Sequence, residues 1–188
     1  MMNRSALILF PQQAPPSASA VQLESRLRAL GLIGHAFAFE GQQHFEAGEA
    51  FLEWIMFLGC IPHLVLDVEE GLRDESHAFI HLELRDGTGC GQWVMGRNTL
   101  APRCPSCRKP HRGWREQHVA DGAQVLVCPF CAVEAAVDAW NWKHSAGPGG
   151  LSIWIWGVFP SEGIASPALL KELDALGWGA WDHFYWQS

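Results

Sequence analysis

Two short cysteine motifs carry the clearest chemistry in the sequence. Cys104 and Cys107 enclose Pro-Ser, Cys128 and Cys131 enclose Pro-Phe, and 20 residues separate the two motifs. Two intervening residues allow a tight turn to aim both sulfur atoms at one ion, and the proline after the first cysteine favours that turn. Four thiolates complete a tetrahedral shell around zinc, so the sequence predicts one structural Zn²⁺ ion per chain.

Two other chemistries use the same residue types. In the first alternative, the cysteines form a redox pair or ordinary buried thiols. In the second, they form a catalytic zinc site. The doubled spacing and the doubled proline argue against the first. A catalytic zinc normally has three protein ligands and an open position. His111 and His118 lie between the motifs, but four cysteines already fill the shell.

Residues 103–133 resemble the zinc-ribbon family, in which two cysteine knuckles are joined by a β-hairpin. Residues 114–120 and 124–127, with a turn at Asp121-Gly122, would supply that hairpin. The resemblance covers under a fifth of the chain and implies a bound Zn²⁺ ion. It implies no single function, because ribbons occur in nucleic-acid binders, enzymes and adapters alike.

A basic island surrounds the first cysteine motif. Residues 97–118 carry a formal charge of +5, whereas the whole chain carries −7. The island predicts a polyanion contact, and its candidate residues are Arg103, Arg108, Lys109, Arg112 and Arg115. The alternative is structural, because Zn²⁺ with four thiolates has a net charge of −2 that nearby cations offset.

A second metal site is a further hypothesis. Cys60 and His63 have ligand spacing, and His81 or Cys90 would complete a mixed site. Ordinary packing of Cys60 in the core is the favoured interpretation, because free cysteine is usually a small buried apolar residue. His77 and His81 fall on one face of a predicted strand, too far apart along it to share an ion.

Tryptophan is unusually common, with 10 Trp against 1 Tyr. Most of these residues fall late in the chain, at Trp140, Trp142, Trp154, Trp156, Trp178, Trp181 and Trp186. They would form either a stacking platform for a ligand or an aromatic core. The core is the favoured interpretation.

The periodicity of apolar residues predicts a β-α-β-like unit at each end of the chain. The first combines strands at 6–10 and 35–40 with a helix around Leu23 and Leu27. The second combines strands at 151–159 and 178–186 with a helix that begins at Ser166-Pro167, where serine caps and proline fits the first turn. Between these units, the pattern predicts a helix at 47–58, a loop at 68–75 and a hairpin of strands 77–85 and 92–95.

The sequence therefore predicts an α+β fold with a mixed sheet and an inserted four-cysteine zinc ribbon. Residues 1–102 and 134–188 would form one domain, and residues 103–133 would form the insert.

Motifs for nucleotide phosphates, dinucleotides and serine hydrolysis are absent from the sequence. We therefore expect a non-enzymatic, zinc-stabilised protein of the adapter, regulator or toxin-neutralising type, which binds another protein in the cytoplasm and no membrane. The second hypothesis is a nucleic-acid binder that uses the basic ribbon. The third is an enzyme with a site near His63, His77 and His81.

Overall fold

A computed structural model describes residues 4–13, 19–58, 64–73, 79–86, 93–117 and 124–188. Its strands are β1 Ser5–Pro11, β2 Ile33–Phe39, β3 Gln42–Ala47, β4 Ile55–Phe57, β5 His81–Asp86, β6 Trp93–Met95, β7 Val125–Val127, β8 Glu134–Ala136, β9 Ala146–Pro148, β10 Leu151–Trp156, β11 Gly163–Ala165 and β12 Trp181–Gln187. Its helices are α1 Ser19–Ala29, α2 Phe51–Trp54, α3 Val68–Arg73 and α4 Pro167–Asp174, with 3-10 turns at Trp114–Gln117 and Val137–Ala139.

The main sheet has six strands in the order β12-β1-β10-β5-β3-β2, and every ladder in it is antiparallel. The prediction of a mixed sheet is therefore wrong. β1 and β2, which flank α1, run in the same direction, and so do β10 and β12, the strands of the main sheet before and after α4. However, three strands separate β1 from β2, and β1 separates β10 from β12. Periodicity identifies strands, but it does not say which strands become neighbours.

One face of the sheet packs against helices. Leu7 and Leu9 of β1 point into this core, where Leu23 and Leu27 of α1 meet Leu169 of α4, all fully buried. The predicted cap of α4 is confirmed, because the Ser166 hydroxyl accepts a hydrogen bond from the Leu169 backbone N–H at 3.1 Å. Ala6 and Ile8, which alternate with the leucines of β1, belong to the cluster on the opposite face, so a single face of β1 packs against the helices.

The opposite face of the sheet is aromatic. Trp154 and Trp156 of β10 pack with Ile8 of β1 and Phe184 of β12. Tryptophans elsewhere in the chain are buried too: Trp140, Trp142, Trp178 and Trp181 are at most 5% exposed. The interpretation of the tryptophans as core residues is therefore confirmed for these positions.

Three local predictions are wrong. Residues 47–58 form the short α2 and then β4, because β4 pairs with β11. Residues 68–73 form α3 rather than a loop, and the Asp67 carboxylate accepts from the Glu70 N–H as a helix cap would. The hairpin expected between 77–85 and 92–95 does not form, because β6 pairs with β9.

Residues 93–117 and 124–148, which contain the cysteines, form a second lobe with its own core. Trp114, Leu126, Val137, Trp140 and Trp142 are buried in it, and Trp93 and Met95 pack against it. This core includes residues on both sides of 103–133. The lobe covers the outer edge of β12: the Arg97 N–H donates to the Gln187 carbonyl, and the Tyr185 N–H donates to the His144 carbonyl. The edge of the main sheet is thereby protected.

Candidate metal centre

The two cysteine motifs adopt the same backbone conformation. In the first, the Cys104 N–H donates to the Lys109 carbonyl at 3.0 Å, and the Arg108 N–H donates to the Cys104 carbonyl at 3.0 Å. In the second, the Cys128 N–H donates to the Val133 carbonyl, and the Ala132 N–H donates to the Cys128 carbonyl, both at 2.9 Å. We call these two turns, residues 104–109 and 128–133, the first and second knuckle.

Each knuckle contains one left-handed residue that is not glycine. Arg108 has φ 59° and Ala132 has φ 57°. Both follow the second cysteine directly, so the positions are equivalent. A left-handed conformation costs an L-residue free energy, and its presence in both knuckles indicates that the turn geometry demands it.

The knuckles bring the four sulfur atoms together, as their spacing predicts. The Sγ atoms of Cys104 and Cys131 are 3.7 Å apart, and those of Cys107 and Cys128 are 3.6 Å apart. All four lie within 4.8 Å of one another. Zinc–sulfur bonds of about 2.3 Å in a tetrahedron place the sulfur atoms about 3.8 Å apart. The cluster is therefore compatible with a tetrahedral metal ion.

Hydrogen bonds favour a thiolate in the cluster even without a metal ion. Burial has the largest effect on Cys128 and raises its pKa, but the N–H groups of Phe130 and Cys131 and the neighbouring thiols together lower that pKa to about 6. Donors that stabilise the charged form lower the pKa of an acid. For Cys107, the Lys109 N–H lowers the pKa, but burial and the neighbouring thiols raise it to about 11. The cluster without a metal ion therefore favours one thiolate, on Cys128, which is the form that binds a metal ion.

The hairpin beside the knuckles differs from the predicted one. Residues Trp114–Gln117 form a 3-10 turn instead of a strand, and β7 pairs with β8, which follows the second knuckle. The predicted turn at Asp121-Gly122 and His118 lie outside the described residues. Gln117 fixes the 3-10 turn to β7, because its side-chain amide donates to the Val127 carbonyl at 3.0 Å and accepts from the Val127 N–H at 2.8 Å.

His111 lies behind the cysteines rather than among them. Its ring is buried, and its Nε2 lies 2.9 Å from Nε2 of the Gln117 amide. The amide nitrogen can only donate, so the His111 Nε2 accepts and a proton resides on Nδ1 in the neutral ring. Burial lowers the pKa of His111 and so favours this neutral form.

The five cations predicted to contact polyanions lie around the knuckles. Within the described part of the chain, Arg103, Arg108, Lys109, Arg112 and Arg115 form no ion pair with an acidic residue. Two stack on aromatic rings instead. The Lys109 Nζ lies 4.9 Å from the centre of the Phe130 ring, and the Arg115 guanidinium lies 4.2 Å from that of Trp114.

Large apolar side chains are exposed in the same lobe. Val125 is 48% exposed, Val127 40% and Phe130 56%. The two valines lie on the outward face of β7, whereas Leu126 between them is fully buried. We call Val125, Val127 and Phe130 the apolar strip.

Of the residues considered for a second metal site or for an enzyme site near the histidines, only His81 lies in the described part of the chain. His81 is buried against Phe79, with ring centres 4.3 Å apart, and its Nδ1 donates to the Phe79 carbonyl. Cys60, His63, His77 and Cys90 lie outside the described residues.

Sequence reasoning missed another group of ligand-type side chains. His144, Asp182 and His183 have ligand atoms within 4.8 Å of one another. The pair at 182–183 and the residue at 144 have no motif spacing, so only the docking of the second lobe on β12 brings them together.

Comparison with known proteins adds no further assignment. No protein-family model matches the chain, and neither the curated proteins nor the solved structures contain a match. Within the described part of the chain, no helix has the length and apolar character required to cross a membrane.

Proposed function

We propose that the four cysteines hold a structural Zn²⁺ ion, and that the lobe it orders docks an acidic, partly apolar segment of another protein. The observation that supports docking is the exposed apolar strip, whose Phe130 ring contacts Lys109, a cation with no acidic partner among the described residues. The proposal has two parts, the metal and the surface, and each is tested separately.

Zinc is the metal that suits this site best. Four thiolates in tetrahedral arrangement favour Zn²⁺ or iron over Mg²⁺ and Ca²⁺, which prefer oxygen ligands. Four protein ligands leave no position for water, so the ion stabilises the fold rather than performing catalysis. The small core of the second lobe gains this stability from the metal, because metal-binding free energy becomes folding free energy.

The apolar strip favours a protein partner over a nucleic acid. Exposed aliphatic and aromatic side chains are covered in protein interfaces, where aromatic anchors lie at the centre and charges lie at the rim. Phosphate contacts need cations but no exposed valines. Lys109 connects the two features, since it contacts Phe130 while its charge remains exposed. A segment with apolar and acidic residues would complement both.

Metal analysis of the tag-free chain tests the first part. After dialysis against a weak chelator, which removes loosely held ions, we expect one zinc ion per chain, and its loss in Cys104→Ser and Cys128→Ser. Cys128→Ser removes a sulfur from the second knuckle and Cys104→Ser from the first, so both knuckles are tested. One ion of zinc per chain in either variant, or iron in place of zinc in the wild-type protein, contradicts the assignment.

Selection from a display library of random short peptides tests the second part. We expect enrichment of peptides that combine acidic and aliphatic residues. Their binding should be lost in Val125→Ser/Val127→Ser, and weakened in Lys109→Gln. Val21→Ser is the matched control, because Val21 is an exposed valine on α1 in the main domain. Peptides that bind all variants equally, or that carry no acidic residues, contradict docking at the strip.

Variants of the same lobe also test the nucleic-acid hypothesis. Salt-sensitive retention of an RNA or DNA oligomer by the wild-type chain, abolished in Arg108→Gln/Lys109→Gln/Arg112→Gln and unchanged in Val125→Ser/Val127→Ser, would replace the protein-docking proposal.

A further inference from the structure

Three polar side chains meet where the second lobe docks on the edge of the main sheet. His144 lies just before β9, whereas Asp182 and His183 are adjacent residues of β12. The Asp182 Oδ1 atom lies 3.6 Å from Nδ1 of His144 and 3.6 Å from Nδ1 of His183. The two imidazole rings are stacked, with centres 4.5 Å apart and planes 11° apart.

The hydrogen bonds of His144 determine its tautomer. Its Nδ1 lies 2.8 Å from the His183 carbonyl oxygen. A carbonyl can only accept, so Nδ1 carries a proton and the Nε2 of the neutral ring has a free lone pair. Metal-binding histidines usually donate their second nitrogen to a carbonyl or carboxylate in this way, which fixes the ring for coordination.

The backbone at this position is strained. Lys143 and His144 are consecutive left-handed residues, with φ 53° and 54°, although neither is glycine. Two such residues each cost free energy, and strain of this kind persists where the surroundings impose it. Here the His144 carbonyl accepts from the Tyr185 N–H at 2.9 Å, so this turn is held against β12 with its imidazole beside Asp182.

We propose that His144, Asp182 and His183 form a second metal site, which binds a divalent transition-metal ion such as Zn²⁺, Co²⁺ or Ni²⁺. Two imidazole nitrogens and one carboxylate oxygen suit these borderline ions. His183 offers Nδ1, which lies 3.6 Å from Oδ1 of Asp182, and ligand atoms about 2.1 Å from a tetrahedral ion lie about 3.4 Å apart. His144 offers Nε2, because its Nδ1 donates to the His183 carbonyl. The lone pairs of the stacked rings run parallel, so the rings tilt toward each other on binding.

The site differs from the cysteine centre in its chemistry. Three protein ligands leave at least one coordination position for water or for a group from a ligand. Because its residues come from the second lobe and from β12, the ion joins the lobe to the main sheet. The inference is independent of the proposed docking function, since none of its ligands belongs to the knuckles or to the apolar strip.

Titration of the tag-free chain with Co²⁺ at neutral pH tests the proposal, after zinc loading and the same chelator dialysis leave zinc at the cysteines alone. We expect one further Co²⁺ ion per chain, with visible ligand-field absorption and no thiolate-to-cobalt charge-transfer band. The absence of that band distinguishes this ion from Co²⁺ that has displaced zinc from the cysteines. Bound Co²⁺ should also raise the unfolding temperature, because it binds only the folded chain.

Two variants remove a ligand while preserving the local structure. His144→Asn retains a side chain that tolerates the left-handed conformation, and Asp182→Asn retains an acceptor for the His183 backbone N–H, which donates to Asp182 at 2.7 Å. Each should weaken Co²⁺ binding at least about 100-fold, since loss of a supporting outer-shell group alone costs about 10–100-fold. His35→Gln is the control, because His35 is exposed and distant in the sheet.

The proposal is overturned if the zinc-loaded chain takes up no additional Co²⁺. It is also overturned if His144→Asn and Asp182→Asn bind the ion as tightly as the wild-type protein, because the ion then lies elsewhere. Near-ultraviolet circular dichroism of the buried tryptophans verifies that each variant is folded.

Discussion

The left-handed residue in the second knuckle, Ala132, predicts that glycine there stabilises the lobe and valine destabilises it, whereas an extended position reverses the order. Ala132 is exposed, so its methyl group contributes little packing, and its φ of 57° lies where L-residues are disfavoured. Its N–H is bonded to the Cys128 carbonyl at 2.9 Å, which closes the knuckle. Ala132→Gly should therefore stabilise the metal-bound lobe, and Ala132→Val should destabilise it.

The magnitudes follow from backbone preferences. Glycine removes a left-handed penalty of about 1–2 kcal/mol, but it adds unfolded-state freedom that costs about 0.5–1 kcal/mol relative to alanine. We expect a net gain of roughly 0.5 kcal/mol. Valine, whose branched side chain is the least tolerant of positive φ, should cost about 1–2 kcal/mol. Because metal binding is coupled to folding, these changes correspond to about two-fold tighter and about ten-fold weaker apparent zinc affinity.

Ala136 is the matched control. It is also an exposed alanine of the second lobe, but it ends β8 in an extended conformation with φ −57° and ψ 146°. Extended positions favour valine and disfavour glycine, so the order of the two substitutions should reverse there. Apparent zinc affinity is measured by competition with a chelator, and unfolding of the lobe by the fluorescence of Trp114, Trp140 and Trp142.

The reasoning is refuted if Ala132→Val binds zinc as tightly as the wild-type chain, or if valine and glycine have the same order of effect at both positions. Either result would mean that the knuckle does not need a left-handed residue after its second cysteine.

Three further predictions concern other parts of the chain. Leu126→Ala should destabilise the second lobe by about 2–5 kcal/mol, whereas Val127→Ala, at an exposed position, should cost under about 1 kcal/mol in chemical denaturation. Burial lowers the pKa of His44, against the opposing effect of Glu83. The unfolded chain therefore binds more protons below about pH 6.5, and the free energy of unfolding should fall as the pH falls below that value. A pH series of thermal melts should show a smaller decline for His44→Phe, and an unchanged decline would contradict the assignment. Ser166→Ala should lower stability by about 1 kcal/mol through loss of the α4 cap, and Ser166→Asp should retain most of it; equal losses in both melts would exclude capping.

Much of the local structure can be predicted from the sequence. Short apolar runs predict β1 and β10, and a serine before a proline predicts the start of α4. These signals succeed because they depend on burial of both faces of a strand and on backbone hydrogen bonds within a few residues. The helix predicted at 47–58 fails because the pairing of β4 with β11 stabilises an extended backbone at 55–57. Asp67 is a capping signal for α3, but the acidic run around it favours a loop.

The cysteine cluster and the second candidate metal site show the difference between local and tertiary information. The amino-acid order alone predicts the two knuckles and their shared ion, because two residues between the cysteines and a proline after the first favour a turn that aims both sulfur atoms outward. The approach of one knuckle to the other, which places Cys104 beside Cys131 and Cys107 beside Cys128, is tertiary. The choice of neighbouring strands, and the meeting of His144 with Asp182 and His183, arise from the folded structure. These contacts depend on the packing of the second lobe against β12, which brings His144 to a residue 39 positions later and leaves no local pattern in the sequence.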